Sequence, residues 1–182
     1  PFLGLVFVYG LFAIIGPDSF TSINNLEIMS RQTAIIGIAA LGMTLVIISG
    51  GIDLSVGSIV ALSSVVIATL LAKLVQPGAG EEIFNMQAGP MIALIAALGG
   101  MLVGTAAGLW NGLIITGLRV VPFIVTLGSL LLFRGIAKGV AHETKVNAPF
   151  SWLNDILASL PAGMKWILVA PGVWLMIGLL IV

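Results

Sequence analysis

The amino-acid sequence predicts an all-α protein, a polytopic bundle of transmembrane helices, and three observations lead to this fold class. Charged residues make up only 8% of the 182 residues, whereas soluble domains carry roughly 25%. Hydrophobic residues make up 59%, and the mean hydropathy is +1.23. The apolar residues form long runs of the kind that cross a bilayer as helices, without the alternation of a transmembrane barrel. This composition excludes a soluble enzyme, a disordered chain and a nucleic-acid-binding protein.

The apolar runs predict about six spans in one transmembrane domain that covers residues 1–182. A spanning helix needs ~20 mostly apolar residues, and such runs lie near 1–16, 33–50, 54–74, 91–112, 122–140 and 166–182. Polar loops are expected at 17–32, with a short helix from Ile23 to Ser30, and at 76–90 and 142–165. The first and last runs stop at the ends of the sequence, so we expect a domain truncated at both ends.

The second and third spans are separated by a predicted turn at Gly50–Asp53. Residues 33–72 hold a single charge, Asp53, and as one helix they would measure about 60 Å, twice the ~30 Å hydrocarbon core. Two glycines can end the first helix, and the aspartate can cap the next one. An ion pair of Asp53 with Arg119 or Arg134, or a contact with substrate, is the alternative, because a carboxylate at membrane depth is costly.

The fourth span carries a stripe of small residues. Gly100, Gly104 and Gly108 recur every four residues, followed by Gly112, so they share one slowly drifting face of a helix. Because such a stripe lets another helix approach closely, it predicts tight helix packing. The alternative is a seam that slides or hinges near Asn111 and Gly112.

The fifth span begins after a break marked by Arg119 and Pro122. Arg134 lies late in this span, where its side chain can snorkel to the interface or pair with Asp53. The third polar loop contains a short amphipathic pattern at Ser151–Leu157 that Ser151 can cap. The sequence shows no metal-ligand set, nucleophile–base pair or phosphate-binding loop, so no enzyme activity, cofactor or metal is expected of this chain.

Two stretches carry a resemblance to a known family. Residues 43–58 read MTLVIISGGIDLSVGS, and this string closely resembles the signature of bacterial ABC sugar-importer permeases of the ribose, xylose and galactose type. Residues 108–112 (GLWNG), 121–128 (VPFIVTLG) and 134–135 (RG) also resemble that family in order and separation. The motif residues we single out are Gly50, Gly51, Asp53, Ser55, Gly57, Asn111, Gly112, Pro122, Phe123, Thr126 and Arg134.

The resemblance implies a fold similar to the vitamin B12 importer permease and a role in monosaccharide import across the bacterial inner membrane. It implies several partners besides the lipid bilayer: a second permease copy, identical or different, two cytoplasmic ATPase subunits that bind the ATP, and a periplasmic sugar-binding protein. The family's ATPase-docking loop would lie downstream of residue 182. Nucleic acid is not an expected partner.

The sequence leaves two alternatives for the orientation of the loops in the membrane and two for the energy source of transport. The Lys and Arg count favours the loops at 17–32, 76–90 and 142–165 in the cytoplasm, whereas the resemblance implies that these loops lie outside. An ion-coupled secondary transporter or channel is the alternative function, since Gly-rich and discontinuous helices occur there too. Such proteins usually need ionisable groups at mid-membrane, and here only Asp53 is available.

Overall fold

The computed structural model describes residues 2–75, 86–156, 158 and 170–181. In chain order the elements are α1 (Phe2–Ile15), a 3-10 turn (Asp18–Thr21), α2 (Ile23–Ile48), α3 (Val56–Leu74), α4 (Pro90–Leu118), α5 (Pro122–Val140), α6 (Trp152–Asp155) and α7 (Pro171–Ile181). The described residues contain no strand, only one isolated bridge between Gln87 and Phe150. The prediction of an all-α helical bundle is therefore confirmed.

Four helices, α2 to α5, are long and apolar enough to cross a membrane. The first and last of the predicted spans appear as shorter apolar helices, with 14 residues in α1 and 11 in α7. The sixth span was expected from residue 166, and residues 166–169 lie outside the described part of the chain. So do most of the loop at 76–90 and the greater part of the stretch at 156–165.

Two predicted boundaries were wrong. The expected loop at 17–32 is helical from Ile23 onward, because no Pro or Gly interrupts residues 23–36 and the short predicted helix continues into the span. The resulting 26-residue helix measures about 39 Å, so its polar first turns can extend beyond the hydrocarbon core. The fourth span also continues past residue 112 and ends at Leu118, one residue before Arg119 adopts the left-handed conformation.

The chain forms two compact units. The first, residues 1–38 with 155–182, contains a small cluster of Ala34, Ala170 and Val173. The second, residues 39–154, is called the central unit here. Its α3 packs against both α4 and α5, around a core of Leu62, Ala107, Phe133 and Ala137. The motif residues all belong to the central unit.

The glycine stripe of α4 explains only part of this packing. A Cβ atom on Gly100 would lie 2.5 Å from Ile67 of α3, and one on Gly104 would lie 3.3 Å from the Ser63 hydroxyl. At Gly108 and Gly112 no described atom lies within 4 Å of the added Cβ, so packing at Gly108 stays a prediction. A spacing of four residues rotates the stripe by about 40° per step, which turns Gly108 away from α3.

The segment before α6 forms backbone hydrogen bonds with the segment before α4. The Ala88 amide donates to the Phe150 carbonyl at 2.7 Å, and the Phe150 amide donates to the Met86 carbonyl at 3.0 Å. The amphipathic helix expected at Ser151–Leu157 is shorter, Trp152–Asp155; residue 157 lies outside the described residues. Ser151 donates its amide to the Asn154 side chain at 3.0 Å, which is one half of a capping box.

Candidate functional site

The turn between α2 and α3 carries a connected set of polar side chains in the central unit. Helix α2 ends as the sequence predicts, because Gly50 adopts φ +80°. The Gly50 amide donates to the Ile47 carbonyl at 2.9 Å and the Gly51 amide to the Val46 carbonyl at 3.0 Å. This pair of bonds is a Schellman motif, and it reverses the chain direction within a few residues.

The two glycines of the turn serve different needs. Gly50 supplies the left-handed backbone, which side chains disfavour. Gly51 is buried, and a Cβ atom there would lie 3.3 Å from Val46 and 3.6 Å from Pro122, the first residue of α5. Gly51 therefore allows the turn to approach the start of α5.

Asp53 holds the turn through a single carboxylate oxygen. Oδ1 accepts from the Ser55 amide at 2.7 Å and from the Ser55 hydroxyl at 2.6 Å, which is the geometry of an Asx-turn. The N-cap of α3 is Ser55 and not Asp53, so the predicted cap position was wrong, although the carboxylate does accept a backbone N–H. Among the described residues no ion pair joins Asp53 to Arg119 or Arg134.

Asn111 of α4 connects this turn to the neighbouring helix. Its Nδ2 donates to the Ser55 hydroxyl at 2.8 Å, and both residues are buried. The Ser55 hydrogen is given to Asp53, so the Ser55 oxygen can only accept from Asn111, and this fixes the orientation of the amide. The Asn111 Oδ1 is buried without a hydrogen-bond partner in the described structure. Asn111 lies seven residues before the end of α4, about 10 Å along the axis, so the turn is held inside the bundle.

Thr126 fixes the turn from α5. Its hydroxyl lies 3.2 Å from the Ile52 carbonyl and 3.3 Å from the Phe123 carbonyl, and its single hydrogen serves these two acceptors. Thr126 is 1% exposed. Three helices and the turn thus meet at Ser55, Asn111 and Thr126.

The remaining motif residues contribute no side chain to this network, although the Phe123 backbone carbonyl is an acceptor for the Thr126 hydroxyl. Gly57, Gly112 and Phe123 are exposed, and Pro122 opens α5 at its first position. Arg134 lines a cavity of about 370 Å³ between α3 and α5 instead. The sequence analysis missed Ser58, whose buried hydroxyl donates to the Ser55 carbonyl at 2.7 Å. Its signal in the sequence was its place as the last residue of the string that carries the family resemblance.

The arrangement stabilises a turn and shows no catalytic constellation. Across the described ranges, no group of three or more His, Cys, Asp or Glu could hold a metal ion. The polar side chains at the turn form hydrogen bonds with one another or with the backbone. These bonds hold the turn in position against α4 and α5.

Comparison with known proteins adds the family. Residues 25–182 match the family described as branched-chain amino acid transport system, permease component. The ribose import permease of Bacillus subtilis (strain 168) is 39% identical over 136 residues, covering 75% of this chain and 37% of that protein. The ribose import permease of Escherichia coli (strain K12) is 33% identical, covering 96% and 49%. The xylose transport permease of that strain is 36% identical, covering 88% and 37%.

The chain spans about half the length, or less, of these curated relatives. No solved structure matches it, so the expected likeness to the vitamin B12 importer permease stays a prediction. Four apolar helices of membrane length and permease relatives identify a multi-pass protein of the bacterial inner membrane. The chain belongs to the family of branched-chain amino acid transport system permease components, and its likeness to permeases named for sugar import confirms the resemblance found in its motifs.

Proposed function

We propose that this chain is part of the membrane permease of an ATP-driven importer that carries a monosaccharide into the bacterial cytoplasm. The observation that carries the proposal is the similarity over three quarters of the chain or more to permeases named for ribose and xylose. The match over residues 25–182 to a transport-permease family supports it.

The geometry of the central unit supports a permease that binds its cargo weakly. A tight sugar site needs several convergent donors and acceptors. At the turn the hydroxyls of Ser55 and Thr126 are already engaged, as is the Asn111 amide group. We infer that selectivity resides in a periplasmic binding protein that delivers the sugar.

The proposal includes the partners that the resemblance implies. A ligand shifts a two-state equilibrium only by its different affinity for the two states, and in an ATP-driven importer that ligand is ATP bound to a partner component. We propose two cytoplasmic ATPase subunits for this role, with the ATP bound there and no cofactor on the permease. A second permease copy would complete the pathway, and residues 1–182 would form a single transmembrane domain in that assembly.

The ion-coupled alternative finds less support. It requires an ionisable group that is free to bind and release an ion. Asp53, the one carboxylate within residues 33–74, uses Oδ1 for two hydrogen bonds to Ser55.

The test is the ATPase rate of the reconstituted importer. The full-length permease is assembled in lipid nanodiscs with its ATPase subunits and purified binding protein, and ribose, xylose and allose are compared. We expect one sugar-loaded binding protein to raise ATP hydrolysis above the rate with sugar-free protein. If none of the three sugars raises the ATPase rate above the rate with sugar-free binding protein, the proposal of sugar import is contradicted.

A further inference from the structure

A groove that carries charged side chains runs along the contact of α3 with α5. Two adjacent cavities, of about 370 Å³ and 510 Å³, share the lining residues Ala61 and Arg134. Towards the turn the groove is bordered by Gly57 and Ser58, and towards the other end by Lys138 and Glu143. We call this the α3–α5 groove.

The opposite face of the same three helices is apolar. A cavity of about 370 Å³ between α4 and α5 is lined only by Leu, Val, Ala, Ile, Phe and Trp side chains, including Trp110 and Ile136. Arg134 and Ile136 lie on the same helix two positions apart. The central unit therefore has one face suited to water and one suited to lipid or apolar helices.

The charges of the α3–α5 groove need water nearby. Arg134 lies twelve residues after Pro122 and six before Val140, so about 9 Å of helix separates it from the end of α5. Lys138 follows one turn later on the same face. Ionisable side chains inside spans almost always face a bundle interior or a water-filled cavity. In the described part of the chain, Arg134 forms no hydrogen bond or ion pair.

The groove also has room for a small polar ligand. Its volumes fall in the range of roughly 300–1,000 Å³ that small-molecule sites occupy. Gly57 keeps the end of the groove near the turn open, because a Cβ atom on Gly57 would have no described atom within 4 Å. Ala61 is exposed on the α3 side, and a small side chain at that position leaves the guanidinium accessible.

We propose that the α3–α5 groove is a wall of the water-filled translocation path, and that Arg134 donates hydrogen bonds to the hydroxyl groups of the passing monosaccharide. The contact is transient, since one flexible cation at a wet surface binds a neutral polyol weakly. This inference rests on the proposed function, because the sugar is the occupant that it names.

Cysteine labelling tests whether the groove is wet. The 182-residue sequence contains no Cys, and labelling of thiols elsewhere in the full-length importer is measured in the unsubstituted protein and subtracted as background. We expect a membrane-impermeant, charged thiol reagent to modify Ala61→Cys in the full-length assembled importer about tenfold faster than Ile136→Cys, which faces the apolar cavity, because a charged reagent is excluded from apolar surroundings. Equal rates at the two positions, or no labelling at Ala61→Cys, would overturn the proposal.

Sugar protection and transport test whether the groove carries cargo. We expect sugar-loaded binding protein with ATP to slow labelling of Ala61→Cys, and Gly57→Leu to reduce uptake strongly by filling open space. Gly117→Leu, also without a described neighbour within 4 Å and outside the groove, is the matched control.

Arg134→Gln should lower uptake about tenfold, with Arg134→Lys retaining more. Unchanged uptake in both Gly57→Leu and Arg134→Gln would overturn the role.

These experiments distinguish a failure of the proposed sugar import from a failure of the proposed α3–α5 groove. Uptake by the wild-type importer is read without any substitution, so a wild type that transports no sugar contradicts the proposed function. The difference in labelling between Ala61→Cys and Ile136→Cys requires no transport and tests the wet groove directly.

Discussion

At the scale of single residues, Ser55 is the junction of the central unit. Its hydroxyl donates to Asp53 and accepts from Asn111, while its carbonyl accepts from the Ser58 hydroxyl. Each of these bonds is buried or partly buried, where an unpaired polar group costs about 1–3 kcal/mol. The turn is thus held by two local bonds and by one bond that links residues 56 positions apart.

Asp53 should act through geometry and not through charge. Only Oδ1 accepts hydrogen bonds, and an asparagine can offer the same oxygen. We expect Asp53→Asn to retain most of the transport and stability of the parent, whereas Asp53→Ala loses about 2 kcal/mol through both bonds. Thermal unfolding and uptake of the two variants decide the point. If Asp53→Asn is as defective as Asp53→Ala, the negative charge itself is required.

Gly50 should be replaceable only by a residue that tolerates the left-handed backbone. With φ at +80°, Gly50→Ala is expected to destabilise the full-length permease by about 1–2 kcal/mol, and Gly50→Asn by less. The unfolding midpoint in detergent measures this. Gly42→Ala, inside α2 with open space at the added Cβ, is the control and should be neutral or slightly stabilising. Equal effects of Ala at both positions would exclude the conformational explanation.

The turn after α2 follows from local sequence, whereas its contacts with α4 depend on how the helices pack. The Gly50–Gly51 pair predicts the turn because a Schellman ending depends on local backbone chemistry. The partner of Asn111 could not be predicted, since the contact with Ser55 arises only when α3 and α4 pack together. The cap was placed on Asp53 because both an N-cap and an Asx-turn use an aspartate followed by a helix.

At the scale of elements, α3 is the helix around which the central unit is built. It contacts both α4 and α5, and its side chains fill the spaces that glycines leave on α4. The four-residue glycine spacing predicts the packed face but not its length, because the axis of α3 and the drift of the stripe together decide where contact ends. Similarly, the polar residues after Ile23 suggested a loop, yet nothing among residues 23–36 breaks a helix.

Gly100 and Gly108 should respond differently to the same substitution. A Cβ atom at Gly100 would lie 2.5 Å from two atoms of Ile67, so Gly100→Ala should destabilise by about 1–3 kcal/mol through overpacking. Gly108→Ala meets no described atom and should be neutral or stabilising, because Ala favours helix. Unfolding in detergent compares them. Ile67→Val, which removes Cδ1, should recover part of the loss, and a lack of any recovery would argue against this contact.

At the scale of the whole molecule, the two lines of sequence evidence on orientation disagree. The charge count favours a cytoplasmic location for the loop after α5, and the family resemblance implies the outside. We expect Lys145→Cys, exposed in the structure, to react with an impermeant thiol reagent in intact spheroplasts, and Arg119→Cys, at the other end of α5, to react only in inverted vesicles. The reverse pattern would show that the charge count was correct.

The energy source of transport tests the central claim most directly. The full-length permease is reconstituted in proteoliposomes with its ATPase subunits and binding protein, and uptake of labelled monosaccharide is followed with ATP present or with an imposed ion gradient. We predict uptake with ATP that persists when ionophores collapse all gradients and stops when the ATPase subunits cannot hydrolyse ATP. Uptake that follows the ion gradient, and is indifferent to ATP hydrolysis, would contradict an ATP-driven sugar permease.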